Sequence, residues 1–85
     1  MKAIRWTQHA LQELARREVS REEAERTLAA PDRIVPGKSP RVIYQRRYHD
    51  ALLGEEMLLR LVVEETEMEL VVVTLYKTSK IRKYD

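Results

Sequence analysis

The stretch HALQELARREVSREEAERTLAAPDRIV, residues 9–35, contains the most informative pattern of the sequence. Its apolar residues recur at helical spacing on both sides of a short break at 18–20, which predicts two amphipathic helices over 8–18 and 21–29. A break of this length leaves the two helices as antiparallel neighbours. Pro31 ends the second helix, because proline disfavours helical backbone in the residue that precedes it.

Two hydroxyl residues indicate where these helices begin. The side chain of Thr7 can accept a hydrogen bond from a free backbone N–H two or three residues further on. Ser20 and Glu23 have the spacing of a capping box, in which the glutamate reaches back to the serine N–H. Val19, which precedes the cap, is suited to pack as a hydrophobic staple. The sequence therefore predicts a hairpin whose two helix starts are both capped.

Beyond the hairpin the period of the apolar residues changes from helical to alternating. Runs over 41–49, 57–65 and 69–77 predict three antiparallel strands joined by short loops, which is a β-meander. Residues 32–35 predict a short extended piece, and residues 1–6 a weak first strand. Alternation assigns the following side chains to the core: Leu59, Leu61, Val63, Val71, Val73 and Leu75.

These elements predict a two-layer α+β domain with the order β-α-α-β-β-β. The antiparallel helical hairpin packs on a three- to four-stranded antiparallel β-meander. The length of the chain is that of one domain spanning 1–85. Within it, 7–30 form the hairpin, 33–77 the meander and 78–85 a basic tail.

The composition is that of a folded, highly charged protein, with 44% hydrophobic and 35% charged residues. Because there is no cysteine, disulfides and thiolate metal sites are excluded, and no histidine–carboxylate spacing suggests a metal site either. We expect no cofactor. The lack of cysteine favours a reducing compartment, so we expect a cytoplasmic location. No apolar run is long enough to cross a bilayer, and the abundance of arginine and glutamate hints at a thermophilic source.

The net charge of +2 conceals blocks of opposite sign. Residues 33–49 carry basic and no acidic side chains, residues 50–69 carry acids and a single base, Arg60, and residues 70–85 are again basic. Blocks of one sign are typical of surfaces that bind a partner of opposite charge. Solvated strand faces and turns are the alternative interpretation of each block.

The strand arginines also form a candidate anion-binding surface. Arginine beside tyrosine on a sheet can hold phosphates and stack bases. Alternation places Arg46 on the same face as Tyr44 and Tyr48, whereas Arg41 and Arg47 lie on the opposite face. At most two of these three arginines can therefore serve one site, and arginines that merely cover exposed parts of the strand are the alternative.

Short motifs spread over nearly the whole chain resemble a family of small bacterial and archaeal proteins defined only as a domain of unknown function. The motifs are WTQHA (6–10), SREE (20–23), APDRIV (30–35), VIYQRR (42–47), LVVEE (61–65) and VVVTLYKTSKIRKY (71–84). In its order of elements, that family resembles the RelE/ParE-like toxins of toxin–antitoxin pairs, including BrnT. The resemblance implies ribonuclease or gyrase-poison ancestry and an antitoxin-like protein as partner.

RelE-type ribonucleases use lysine, arginine and tyrosine in and after their last strands, and this chain resembles them in residue type and region. Such residues could orient an RNA 2′-OH, neutralise the phosphate and protonate the leaving oxygen without a metal. The resemblance implies catalytic roles for Arg47, Lys80, Lys83 and Tyr84. We assign nucleic-acid binding to Arg41, Arg46, Arg60, Tyr76, Lys77 and Arg82.

Three interpretations of the tail at 78–85 remain open. It lines an RNA cleft, it is a flexible basic arm for nucleic acid, or it is a solubilising terminus with Ile81 and Tyr84 docked on the body. His9 and His49 could act as general bases, since histidine titrates near neutrality. The alternative for both is a structural role: His9 lies at the start of a helix, and His49 is an exposed residue at the edge of a loop.

Two classes of function follow from these observations. The first is a toxin-type protein that binds or cleaves RNA. The second is a non-enzymatic interaction module or homodimer, in which an edge strand pairs with another chain. Leu52, Leu53 and Met57 cluster near a loop and are apolar enough to form such an interface.

Overall fold

The computed structural model describes residues 2–84, so the outermost residue of the predicted first strand and the last residue of the basic tail lie outside the described part. The chain folds as an α+β domain with a helical layer and a sheet. Its elements are β1 (Ala3–Trp6), α1 (Gln8–Arg16), α2 (Arg21–Ala29), β2 (Arg33–Pro36), β3 (Arg41–Asp50), β4 (Glu55–Glu65), β5 (Glu69–Thr78) and a terminal 3₁₀ helix (Ile81–Tyr84).

The caps of both helices are confirmed. The Thr7 hydroxyl accepts a hydrogen bond from the Ala10 N–H at 3.1 Å, and the Ser20 hydroxyl accepts one from the Glu23 N–H at 3.1 Å. The capping box is not reciprocal, because the Glu23 carboxylate accepts a hydrogen bond from Arg46 instead. A stronger partner on the sheet thus replaces the local bond, and the cap ties α2 to β3.

The sheet is larger than predicted and mixed rather than wholly antiparallel. Its strand order is β1-β5-β4-β3-β2, with antiparallel pairing throughout except at one edge. There β1 runs parallel to β5, with Ala3 opposite Glu69 and Trp6 opposite Val72. The piece predicted at 32–35 is a true strand that forms the other edge. Local patterns predicted both short pieces but not their pairing, because β1 pairs with a strand distant in sequence and both strands are too short to show clear alternation.

A β-bulge in β5 breaks the predicted alternation. Val62 of β4 lies opposite Thr74, but the next residue, Val63, lies opposite Val72. Val73 is therefore the extra residue on β5, and such an insertion shifts the residues on one side of it to the other face of the sheet.

The bulge makes two of the predicted core positions wrong. Val72 is fully buried in the core together with Leu70, whereas Val73 is only half-buried. Val71 is buried, but it shares the opposite face with its cross-strand partner Glu64. The predicted core positions Leu61 and Leu75, which pair with each other beyond the irregularity, do lie in the core.

Both helices pack on one face of the sheet. The first contacts β5, and the second contacts β3 and β4. The core between the layers contains Ala10, Leu14, Val19, Ala24, Leu28, Tyr44, Tyr48, Met57, Leu59, Leu61, Val63, Leu70, Val72 and Leu75. Full burial of one large aliphatic side chain contributes about 1.5–3 kcal/mol, so this cluster holds the two layers together. The other face of the sheet, which we call the open face, carries no α-helix from the described residues and presents a different chemistry.

Candidate functional site

Three side chains form a row across the middle of the open face. Gln45 of β3 lies opposite Arg60 of β4, which in turn lies opposite Tyr76 of β5. Cross-strand partners share one face, so the register alone brings an amide, a guanidinium and a phenol together. Arg33 of β2 lies opposite Gln45 and extends the row to the edge of the sheet.

Arg60 is the centre of this row and is held on three sides. Its Nε–H donates to Gln45 Oε1 at 3.0 Å, and its Nη1–H donates to the Tyr76 hydroxyl oxygen. The guanidinium carbon lies 4.0 Å from the ring centroid of Tyr84, which is within the range of a cation–π contact. Only 8% of Arg60 is exposed, so this positive charge is fixed in place by its neighbours.

The tail reaches this row because it folds back over the sheet. Gln45 Nε2 donates to the backbone carbonyl of Tyr84 at 3.1 Å. The rings of Tyr76 and Tyr84 meet edge to face, with centroids 6.5 Å apart and an interplanar angle of 64°. Of the three interpretations of the tail, the described residues therefore agree with docking of Tyr84 on the body, and 81–84 do not form an extended arm.

The two tyrosines of the site differ in acidity. Burial raises the pKa of Tyr76, against the opposing effect of the Arg60 charge. The hydrogen bond with Tyr76 lowers the pKa of Tyr84, and the charges of Lys83 and Arg60 act in the same direction. The surroundings of the pair therefore favour ionisation of Tyr84 over ionisation of Tyr76.

Further cations surround the row. Arg33 is exposed, and the side chain of Arg47 is 48% exposed with its Nη1 3.9 Å from a carboxylate oxygen of Glu56. Lys83 Nζ lies 5.5 Å from the Tyr84 ring centroid. The tail exposes three cations, Lys80, Arg82 and Lys83. The open face thus carries a buried arginine and two tyrosines with exposed cations around them, which we call the arginine–tyrosine site.

Several of the predicted site residues lie elsewhere. Arg46 is on the helical side of the sheet, where it binds Glu23 and donates to the Thr27 hydroxyl at 3.3 Å. Lys77 is on the same side and forms an ion pair with Asp50. Arg41 is on the open face but is held at its far end by Glu64, with 3.1 Å between Nε and Oε1. Alternation predicts that Arg46 lies on the opposite face of β3 from Arg41 and Arg47, and the structure agrees with this placement.

The partner of Lys77 anchors the β3–β4 loop. Asp50 Oδ2 accepts hydrogen bonds from Lys77 Nζ at 2.7 Å and from the Tyr48 hydroxyl at 3.0 Å, while Oδ1 accepts from the N–H groups of Leu52 and Leu53. The bond from Lys77 is the main reason that the pKa of Asp50 falls to about 2. Burial, reinforced by the Asp50 carboxylate, raises the pKa of Tyr48. These contacts serve the loop rather than the open face.

The two histidines do not join the arginine–tyrosine site. His9 lies on α1 with Nε2 3.8 Å from Glu13, and His49 is exposed near the end of β3. Within residues 2–84 no group of three or more histidine, aspartate or glutamate side chains is arranged to hold a metal ion.

Gln45 is the site residue that sequence reasoning missed. It is only 1% exposed, and it contacts both Arg60 and the tail. A signal was present, since alternation places Gln45 on the same face of the strand as Arg47, but without the strand register Gln45 had no visible partner.

The comparison with known families identifies the domain. Residues 6–77 match the family described as Domain of unknown function (DUF4258), and this chain belongs to that family. The resemblance to such a family is thereby confirmed. No curated protein and no solved structure matches the chain. Between residues 2 and 84, none of the helices has the length and apolar character needed to span a membrane.

Proposed function

We propose that this protein binds single-stranded RNA on the open face of its sheet, as a toxin-type protein of RelE/ParE-like character. The observation that carries the proposal is the arginine–tyrosine site, in which Arg60, Tyr76 and Tyr84 converge on a surface rimmed by exposed cations. Cations bind the phosphates of a single strand in any sequence, and aromatic rings stack on its unpaired bases.

The proposal extends to metal-independent cleavage of the bound RNA. Tyr84 is the more acidic tyrosine and lies beside Lys83, so it is suited to exchange a proton at the reacting oxygens. Arg47 and Lys80 would neutralise the phosphate. The strand and helix order supports a toxin-like protein, and an antitoxin-like partner would act by covering the open face. We place the activity in the cytoplasm, in keeping with the cysteine-free sequence, and the arginine- and glutamate-rich composition favours a thermophilic source.

The first experiment measures binding of a fluorescent single-stranded RNA by anisotropy over a range of salt concentrations. The variant Arg47→Ala/Lys83→Ala removes two cations from the open face. The control, Arg16→Ala/Arg26→Ala, removes two exposed cations from the helices. Each cation that neutralises a phosphate of a single strand adds about 0.7 to the slope of log affinity against log salt, so we expect a decrease of about 1.4 for the first variant only. Equal decreases of this slope in both variants would show that the net charge of the protein, rather than its open face, governs binding.

The second experiment tests cleavage. The chain is expressed alone from an inducible promoter, beside a variant in which Arg47, Lys80 and Lys83 are all changed to alanine. Growth arrest with RNA fragmentation, both absent in the variant, supports a ribonuclease. A harmless wild-type chain that leaves RNA intact removes the cleavage part of the proposal and leaves binding to be judged by the first experiment.

One observation favours a second candidate, a homodimer. Leu52 and Leu53 are 71% and 54% exposed at the tip of a loop that Asp50 holds in place. Exposed leucines on an ordered loop are typical of interfaces. The mass from light scattering would reveal a dimer that Leu52→Ser/Leu53→Ser disrupts. Met68→Ser, which removes an apolar side chain that is 75% exposed elsewhere, is the matched control.

A further inference from the structure

The contact between the tail and the sheet has the geometry of a bound nucleobase. The Tyr84 ring lies on the Arg60 guanidinium at 4.0 Å, and the carbonyl of the same residue accepts a hydrogen bond from Gln45 Nε2 at 3.1 Å. A planar ring stacked on a guanidinium, with an amide donor aimed at a carbonyl oxygen, is how proteins hold unpaired RNA bases. Arg60 and Gln45 are both more than nine-tenths buried, so this receptor is built into the sheet.

The receptor and its present occupant belong to different parts of the chain. Gln45, Arg60 and Tyr76 all lie within the residues that match the family, 6–77, whereas Tyr84 lies beyond them. The occupant is carried on a 3₁₀ helix of only four residues, Ile81–Tyr84. Such short helices have little stability of their own, so the ring is held by its contacts with the receptor.

We propose that Tyr84 occupies a nucleobase site, and that a base of single-stranded RNA replaces its ring on Arg60 when RNA binds. This inference rests on the proposed function and adds to it a base-binding subsite formed by Gln45, Arg60 and Tyr76, for which the tail competes. Tyr84 leaves this subsite when RNA binds, and its hydroxyl then acts on the bound strand. The tail is tethered a few residues from the site, so its effective concentration there is high and it weakens the binding of any free ligand.

The orientation of Gln45 predicts which bases the site prefers. Gln45 Oε1 accepts from Arg60 Nε–H at 3.0 Å, which fixes the amide and leaves its NH₂ group as the part that faces a ligand. A donor in this position matches bases with a carbonyl oxygen, which are uracil, cytosine and guanine. Adenine has no carbonyl oxygen, so we expect it to bind more weakly than uracil.

The test uses the full chain with Tyr84→Ala and, as matched control, Tyr84→Phe, which keeps the ring. We expect Tyr84→Ala to bind a uridine oligonucleotide about three- to tenfold more tightly than both the wild type and Tyr84→Phe, because only alanine removes the competing ring. Weaker or unchanged binding by Tyr84→Ala overturns the inference, while RNA binding by the wild type leaves the proposed function intact.

A second measurement separates this inference from the proposed function. Uridine and adenosine monophosphate are titrated into Tyr84→Ala, and nuclear magnetic resonance follows the side-chain N–H signals of Gln45 and Arg60. Shifts of these signals that are larger with the uridine nucleotide support the base site, even if the wild type binds no RNA and the proposed function fails. No shift with either nucleotide overturns it.

A third measurement covers the case in which Tyr84→Ala does not fold. The wild-type chain is then saturated with the uridine oligonucleotide, and the magnetisation transfer between the Tyr84 and Tyr76 rings is followed. Disappearance of this signal supports displacement of the tail, and its persistence in the RNA complex refutes it.

Discussion

The ion pair between Asp50 and Lys77 allows the sharpest quantitative prediction. Asp50→Asn keeps the oxygen that accepts from the N–H groups of Leu52 and Leu53, so the loop keeps its cap. The substitution removes the negative charge opposite Lys77, whose side chain is only 13% exposed. The variant therefore removes the ion pair with Lys77, together with the hydrogen bond that Oδ2 accepts from Tyr48, and keeps the acceptor that caps the loop.

The magnitude follows from the pKa of Asp50. It falls from an ordinary 3.8 to about 2, and at about 1.4 kcal/mol per pH unit this difference corresponds to about 2.5 kcal/mol of stability. Screening by nearby water reduces the figure, so we expect Asp50→Asn to lower the free energy of unfolding by about 2 kcal/mol at pH 7. A carboxylate whose pKa is depressed in the folded state stabilises the protein above its unfolded pKa. This contribution to stability is lost as the pH falls through the pKa that the carboxylate has in the folded state.

Urea denaturation at several pH values measures this directly. The difference between wild type and Asp50→Asn should be full at pH 7, begin to shrink below about pH 4 and nearly vanish near about pH 2. Lys80→Met, which removes an exposed lysine, should change stability by less than about 0.5 kcal/mol at every pH. A difference at pH 7 below about 0.5 kcal/mol, or one that stays constant down to about pH 2, would show that the Asp50–Lys77 ion pair does not stabilise the fold.

Four other substitutions test the fold. Val72→Thr should lower the free energy of unfolding by about 1–3 kcal/mol, because it buries a hydroxyl in the core. Val73→Thr should lower it by less than about 0.5 kcal/mol. Equal decreases in urea denaturation would contradict the position of the bulge. Gly54→Ala should cost about 1 kcal/mol, since Gly54 has φ of +68° and a Cβ there meets no neighbour, so backbone strain alone sets the decrease in melting temperature. Ser20→Ala should cost about 1 kcal/mol by the same assay, and an unchanged melting temperature would show that the Ser20 cap is not needed.

The helices were predictable because their signals are local. The Ser20 hydroxyl caps α2 through an N–H only three residues away, and Pro31 ends the helix within the same short window. The second helix has the predicted bounds 21–29. The first ends at Arg16 rather than at 18, because Glu18 adopts a left-handed backbone with φ of 54° to make the tight turn. Nothing in the residue type of a glutamate indicates such a turn.

The sheet was only partly predictable, since its edges and its bulge depend on distant partners. Alternation correctly assigned the inward residues of β4 and correctly divided the residues of β3 between two faces, because the ladder between these strands is regular. It failed on β5 because no glycine or proline marks Val73 as the extra residue among three consecutive valines. The pairing of β1 with β5 left no local trace either.

The candidate site was also predictable only in part. The residue types were foreseen for Arg60, Tyr76 and Tyr84, because basic and aromatic residues cluster in these strands and the tail. Which of them meet is decided by register, and this is why Gln45 was overlooked and why Lys77 lies on the other side of the sheet. Adjacent residues such as Tyr76 and Lys77 point to opposite faces of a strand, so neighbours in sequence are separated in space.

The parallel pairing of β1 with β5 has a consequence for synthesis of the protein. Residue 3 pairs with residue 69, so the first strand emerges from the ribosome long before its partner exists. During that interval the apolar side of α1, including Leu14, lacks the strand on which it packs. Contacts between distant residues form slowly, and exposed apolar surface in a nascent chain invites chaperones and aggregation. The nascent chain therefore passes through a vulnerable stage that ends only when β5 has been made and the sheet can close over the helices.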